Sequence, residues 1–158
     1  MVLGDNDKGL TRAAWWLKKL YVDIIAIATG TNLGGLNIVP TTIDLNQAAA
    51  TYTLLTGTTQ AIVLEKLTFR MPNIDISGGA LTSISIHTDD VTPAVLIDTT
   101  DGILANLTEE ASLTWTGALH IPVGTIIQLT IAGGAGGTAC VCDVIAQSRC
   151  VVAGGILA

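Results

Sequence analysis

The sequence predicts an all-β protein: a jelly-roll-like β-sandwich with an N-terminal α-helical arm. Three observations carry this. A charged segment with heptad spacing, Leu10 to Ala28, precedes a body of quite different composition. From Thr41 onward that body breaks into runs of strand length separated by turn residues. Its polar surface is finished mainly with threonine: the chain holds 22 Thr in 158 residues, with charged residues at 13% and aromatics at 4%, against about 25% charged in an average domain. A β-branched residue with a small polar end suits the outer face of a strand and a surface that meets other copies, where charge is costly to desolvate. The length supports one compact domain plus an appendage. The expected division is residues 1–39 as arm and Gly/Asn linker, and 40–158 as β-sandwich body.

Leu10, Ala14, Leu17, Tyr21, Ile24 and Ala28 alternate spacings of 4 and 3, the rhythm of a helix that buries a narrow seam. Trp15 and Trp16 widen that seam, and Arg12, Lys18 and Lys19 occupy its flanks. Such a helix lies on its own body, docks on another protein or bundles about a symmetry axis, or rests on a membrane surface. The residues expected at an assembly interface are Trp15, Trp16, Leu17, Tyr21 and Ile24. The stretch from Thr29 to Asn37 has the composition of a joint. The apolar run Tyr21 to Ala28 imitates a secretory signal, but Asp5, Asp7 and Asp23 do not fit one, and no run reaches the roughly 20 apolar residues of a membrane span.

In the body the expected strands are Thr51–Thr56, Ala61–Met71, Leu81–Thr88, Ala94–Asp98, Ser112–Thr116, Thr125–Ala132 and Thr138–Gln147. Shorter pieces near Thr42–Leu45 and at Cys150–Ala153 bring the number to about eight. In Leu81–Thr88, Ile84 and Ile86 point one way and Ser83, Ser85 and His87 the other, giving one wet face. Ile126 to Ile131 begins as a strand buried on both faces and then alternates. The run from Ala132 to Thr138, rich in glycine, reads as the flexible tip of a hairpin between two strong strands.

No catalytic chemistry emerges. The glycine-rich run lacks the lysine and following helix of a phosphate loop, no G-x-S-x-G elbow is present, and neither His87 nor His120 has a triad pattern around it. Adjacent Glu109 and Glu110 cannot share one face of a strand as an acid/base pair and read as a solvated turn. Asp89, Asp90, Asp98 and Asp101 supply hard oxygen ligands of the kind that hold calcium, without the ordered spacing of an EF loop; turn initiation is the plainer role. Cys140, Cys142 and Cys150 are an odd set, read as buried free thiols in a chain that folds in a reducing cytoplasm. Zinc would require His87 or His120 as well. No cofactor is expected. Asn106-Leu107-Thr108 matches a glycosylation sequon by pattern only. From Pro40 on, only Lys66, Arg70 and Arg149 face ten carboxylates, which leaves no electrostatic footprint for nucleic acid.

The run Asp44 to Met71, with Thr51-Tyr52-Thr53-Leu54-Leu55-Thr56-Gly57 leading into Ile62-Val63-Leu64-Glu65-Lys66-Leu67, resembles small β-sandwich virion proteins of tailed bacteriophages. So does His120-Ile121-Pro122-Val123-Gly124-Thr125-Ile126-Ile127, a turn-and-strand element of phage capsid decoration, head-fibre and tail-accessory proteins. The resemblance implies a jelly-roll subunit, often a homotrimer, made in the host cytoplasm and bound to the major capsid protein or another virion protein on the capsid surface. A non-enzymatic capsid decoration (cement) protein is the first expectation, with neither nucleic acid nor membrane as partner. The alternative is a tail or fibre accessory protein, or a carbohydrate- or receptor-binding β module stacking sugars on Tyr52, Phe69 or Trp115.

Overall fold

The computed structural model describes residues 17–19, 35–57, 60–151, 155 and 157. Eight strands form: β1 Leu36–Asp44, β2 Ala50–Thr56, β3 Ile62–Arg70, β4 Ser83–Thr88, β5 Val95–Ile97, β6 Ser112–Ile121, β7 Ile126–Ala132 and β8 Val141–Cys150. They make two antiparallel four-stranded sheets, ordered β1-β8-β3-β6 and β2-β7-β4-β5. Only β4 and β5 are neighbours both in sequence and in a sheet; every other connection crosses from one sheet to the other. Eight strands wound this way in two facing sheets are a jelly roll, so the all-β, jelly-roll-like part of the prediction holds; the predicted N-terminal helical arm lies outside the described residues except for a helical turn at 17–19.

The core is the space between the sheets, filled by the inward half of each strand. In β4, Ile84 and Ile86 are fully buried and Ser83, Ser85 and His87 only half-buried, as the alternation predicts. In β7 the alternation runs the whole length: Ile127, Leu129 and Ile131 are buried, and Ile126 is half-buried. The expected doubly buried start of that strand is therefore absent. Large and small side chains are apportioned between neighbours: Phe69, Leu67 and Leu64 of β3 lie opposite Val144, Ala146 and Ser148 of β8. Volume given to β3 is taken from β8, which keeps the layer evenly filled.

Two bulges reconcile the sequence with the period of the strand. Leu54 and Leu55 are adjacent yet both buried, and the register of β2 on β7 shifts there. Leu64 and Leu67 are three apart and both fully buried, and the register of β3 shifts at Glu65 against both neighbours. An extra residue resets which side points inward.

Three expectations need correction. β1 begins at Leu36, inside the stretch read as a joint. Cys150 closes β8 and does not open a further strand. The glycine-rich segment after Ala132 is no hairpin tip, because β7 and β8 belong to different sheets. It is clamped across one end of the sandwich: Ala80 N–H and Leu81 N–H donate to Ala135 O at 2.9 and 3.2 Å, and Gly136 N–H donates to Leu45 O at 3.0 Å. Glycine is needed there for close approach of backbones, since a Cβ on Gly79 would stand 2.2 Å from Ala135 O. By contrast Gly124, in the tight turn between β6 and β7, has open space around it and a φ of 83°.

These two glycines should respond differently. Gly79→Ala forces backbones apart and should destabilise the protein by about 3 kcal/mol. Gly124→Ala carries only the left-handed penalty of about 1 kcal/mol. Urea unfolding of the two variants checks the order.

Candidate interaction surface

His87 and three of the four loop aspartates are engaged in structural hydrogen bonds. His87 Nδ1 lies 3.0 Å from the carbonyl oxygen of Thr88, and Nε2 lies 3.0 Å from Thr130 Oγ1. A carbonyl only accepts, so Nδ1 carries the proton and, in the neutral ring, Nε2 accepts from Thr130. Asp98 Oδ1 accepts from Thr100 N–H and Asp101 N–H, both at 2.8 Å. Asp89 Oδ1 accepts from Ile126 N–H at 2.7 Å, and Asp90 Oδ1 from Thr125 Oγ1 at 3.3 Å. Asp98 thus closes a turn, whereas Asp89 and Asp90 tie the loop after β4 to the start of β7. Among the described residues no three His, Cys, Asp or Glu side chains gather as a metal site. Glu109 and Glu110 sit exposed in a turn.

All three cysteines are free and buried. Burial pushes their thiols above the ordinary range, since desolvation penalises the thiolate. The aromatics expected to stack sugars are committed elsewhere. Phe69 is fully buried, Trp115 is packed against the core, and Tyr52 Oη donates to Ala48 O at 2.8 Å.

What remains is surface, and the two outer faces differ in kind. The four strands of the β2-β7-β4-β5 sheet contain no Asp, Glu, Lys or Arg. Register aligns Thr51, Thr130 and Ser85 in one row and Thr53, Gln128 and His87 in the next. Thr51 Oγ1 and Thr130 Oγ1 are 2.9 Å apart, which extends the His87–Thr130 bond into a chain of hydrogen bonds across three strands. This face is uncharged and mostly polar, with Val95 of β5, 57% exposed opposite His87, as its apolar exception.

The outer face of the β1-β8-β3-β6 sheet carries Lys66, Arg70 and Arg149, every cation of the body. Arg149 Nε donates to Glu65 Oε1 at 2.7 Å, an exposed pair of little energetic weight. Beside these charges, on β1 and β8, lies an apolar stripe. Leu36, Ile38 and Ile145 are 43, 59 and 41% exposed, while Val141, 53% exposed, stands apart from them opposite Asp44 and beyond Asp143. Register sets Ile38 opposite Gln147 and the exposed Pro40 opposite Ile145. Pro40, Thr41, Thr42, Asp143 and Ile145 line an open depression of about 570 Å³ there. β1 is also an edge strand of its sheet. β6 is the other edge, and on β1 Pro40 removes a backbone donor, as prolines on edge strands do. Exposed apolar area of this kind, where it is contiguous, is a feature that contact surfaces share.

Of the residues expected at the assembly interface, Leu17 lies in a helical turn over residues 17–19 and is 66% exposed. Trp15, Trp16, Tyr21 and Ile24 lie outside the described residues. Sequence reasoning missed the stripe. Its signal was present in the alternation of Leu36-Asn37-Ile38-Val39-Pro40 but was masked by the preceding glycines.

The described residues define a class by fold, a jelly-roll subunit of two four-stranded sheets. No family model matches the sequence, and no characterised protein is detected by sequence similarity. Solved structures share the fold. A chain of the cyanophage Pam1 capsid asymmetric unit superposes with a TM-score of 0.53 at 15% identity, covering 73% of this chain and 84% of that one. A chain of the acid-stable capsid of the Helicobacter pylori bacteriophage KHP30 does so with a TM-score of 0.51 at 11% identity, covering 81% and 94%.

If the stripe is surface and not core, Ile38→Asp should cost less than about 1 kcal/mol of stability. Phe69→Ala, which empties a core site, should cost about 3–5 kcal/mol. Thermal or urea unfolding separates the two.

Proposed function

We propose that this chain is a non-enzymatic structural protein of a phage virion, a capsid decoration subunit that self-associates as a homotrimer and binds the capsid surface. The observation that carries this reading is the apolar stripe on the outer face of the β1-β8-β3-β6 sheet, set against an opposite sheet that carries no charged residue. The shared fold with chains from two phage capsids supports it. So does the small number of body cations, one of them held by Glu65, which disfavours nucleic acid as the ligand. No described helix is long and apolar enough to cross a membrane.

The reading assigns the two surfaces different tasks. The segment with Trp15, Trp16, Leu17, Tyr21 and Ile24 joins copies of the chain, and the stripe meets the major capsid protein or a neighbouring virion protein. A fully buried aliphatic side chain contributes about 1.5–3 kcal/mol. Leu36, Ile38 and Ile145, each about half exposed, therefore contribute a few kcal/mol when covered, enough to matter in a repeated contact.

The test pairs light scattering with co-sedimentation on phage capsids. The full chain should run as a trimer and pellet with particles. Trp16→Ala should weaken self-association by about 2 kcal/mol or more while the body stays folded. Ile38→Asp should leave the trimer intact and lower particle binding by roughly tenfold or more. A monomeric full chain that ignores particles, or variants indistinguishable from the parent, would refute the reading.

A further inference from the structure

Three sulfur atoms meet at one end of the core. Cys142 Sγ lies 3.7 Å from Cys140 Sγ and 3.5 Å from Met71 Sδ. Cys140 and Cys142 are 0% exposed and Met71 is 1% exposed. Their backbone is pinned on each side: Cys140 N–H donates to Asp44 Oδ1 at 3.0 Å, Leu45 N–H donates to Cys140 O at 3.0 Å, and Met71 N–H donates to Ala111 O at 2.8 Å.

A metal–sulfur bond of about 2.3 Å sets the sulfurs of a trigonal centre about 4 Å apart. The two separations from Cys142 Sγ are slightly below this, so three-sulfur ligation requires the Cys140 and Met71 side chains to turn toward each other around an ion held by Cys142. Two thiols and a thioether form a soft donor set, which selects monovalent copper over harder ions. Zinc is disfavoured, since it takes four ligands and among the described residues no third His, Cys, Asp or Glu joins the two cysteines.

We propose that Cys140, Cys142 and Met71 form a binding site for Cu(I). On binding, the two thiols lose their protons to solvent, two copper–thiolate bonds form, and Met71 Sδ donates a lone pair as the third ligand. Copper stays in the +1 state throughout, so no oxidant or reductant is consumed. The ion fastens the end of β3 to the start of β8, the strand on which the β1-β8-β3-β6 sheet is built.

The experiment is an anaerobic titration of the full chain with Cu(I) in competition with a chromophoric Cu(I) chelator. One equivalent should be withdrawn from the chelator. Cys142→Ala should lower affinity roughly 100-fold and Met71→Leu roughly tenfold. Cys150→Ala, which alters a thiol bonded to Gly155 O at 2.7 Å, should bind as the parent does. Failure to withdraw copper, equal affinity in Cys142→Ala, or dependence on Cys150 would overturn the proposal. X-ray absorption on the copper-loaded parent needs no variant to fold: three sulfur neighbours at about 2.3 Å are expected, and a shell of nitrogen or oxygen alone refutes the site.

Discussion

The insertion of β8 between β1 and β3 is the constraint on which the rest of the molecule depends. β8 pairs along its length with both neighbours, Ile38 to Gln147 on one side and Leu67 to Ala146 on the other. Without it β1 has no partner and β3 loses one of its two ladders. The small side chains of β8 follow from this position, because a central strand beside Phe69, Leu67 and Leu64 must give up volume to let the facing sheet approach. Ser148 is the residue where this apportioning is least comfortable: its hydroxyl is buried and, among the described residues, meets no partner, which costs stability that a methyl group would not. Because β1 and β8 come from opposite ends of the body, the sheet closes only after long-range pairing, and a topology of this kind folds slowly.

Strand content was legible in the sequence wherever alternation was clean, as in β4 and β7. It was obscured where the chain breaks period. Leu54-Leu55 and Leu64-Glu65-Lys66-Leu67 read as irregular until bulges reset them. Adjacency was the deeper difficulty. A hairpin between β7 and β8 is the natural inference from two strong strands joined by a run of small residues, but in a jelly roll consecutive strands mostly lie in opposite sheets. The glycines served a different purpose from the one their composition implied, which was contact with Gly79 and Ala80 rather than freedom.

The surface was harder to read for a related reason. Ile38 and Ile145 belong to one stripe only because their strands pair across most of the length of the body, and no local window contains both. The alternation Val141, Asp143, Ile145 and Gln147 on the exposed side of β8 mixes apolar and polar residues in a way that resembles ordinary surface. The N-terminal segment, with its heptad spacing and paired tryptophans, drew attention because its signal is local. Local signals name candidate helices and strands, whereas a binding face is a property of register.

The contrast between the two outer faces also decides which one favours contact. Covering the β2-β7-β4-β5 face means desolvating Thr51, Thr130, Gln128, Ser85 and His87. Several of their bonds to one another are already made, so a partner must replace the water on the remaining lone pairs and donors to avoid a net loss. Covering the stripe on β1 and β8 removes apolar area from water at about 25 cal/mol per Å², with Arg70 and Asp143 beside it to bias orientation. Charged rims tune approach and register more than affinity. Association through β1 and β8 therefore begins with a gain, whereas association through the threonine face begins with a desolvation penalty. The absence of charge from the second sheet is better understood as permitting close neighbours than as attracting them.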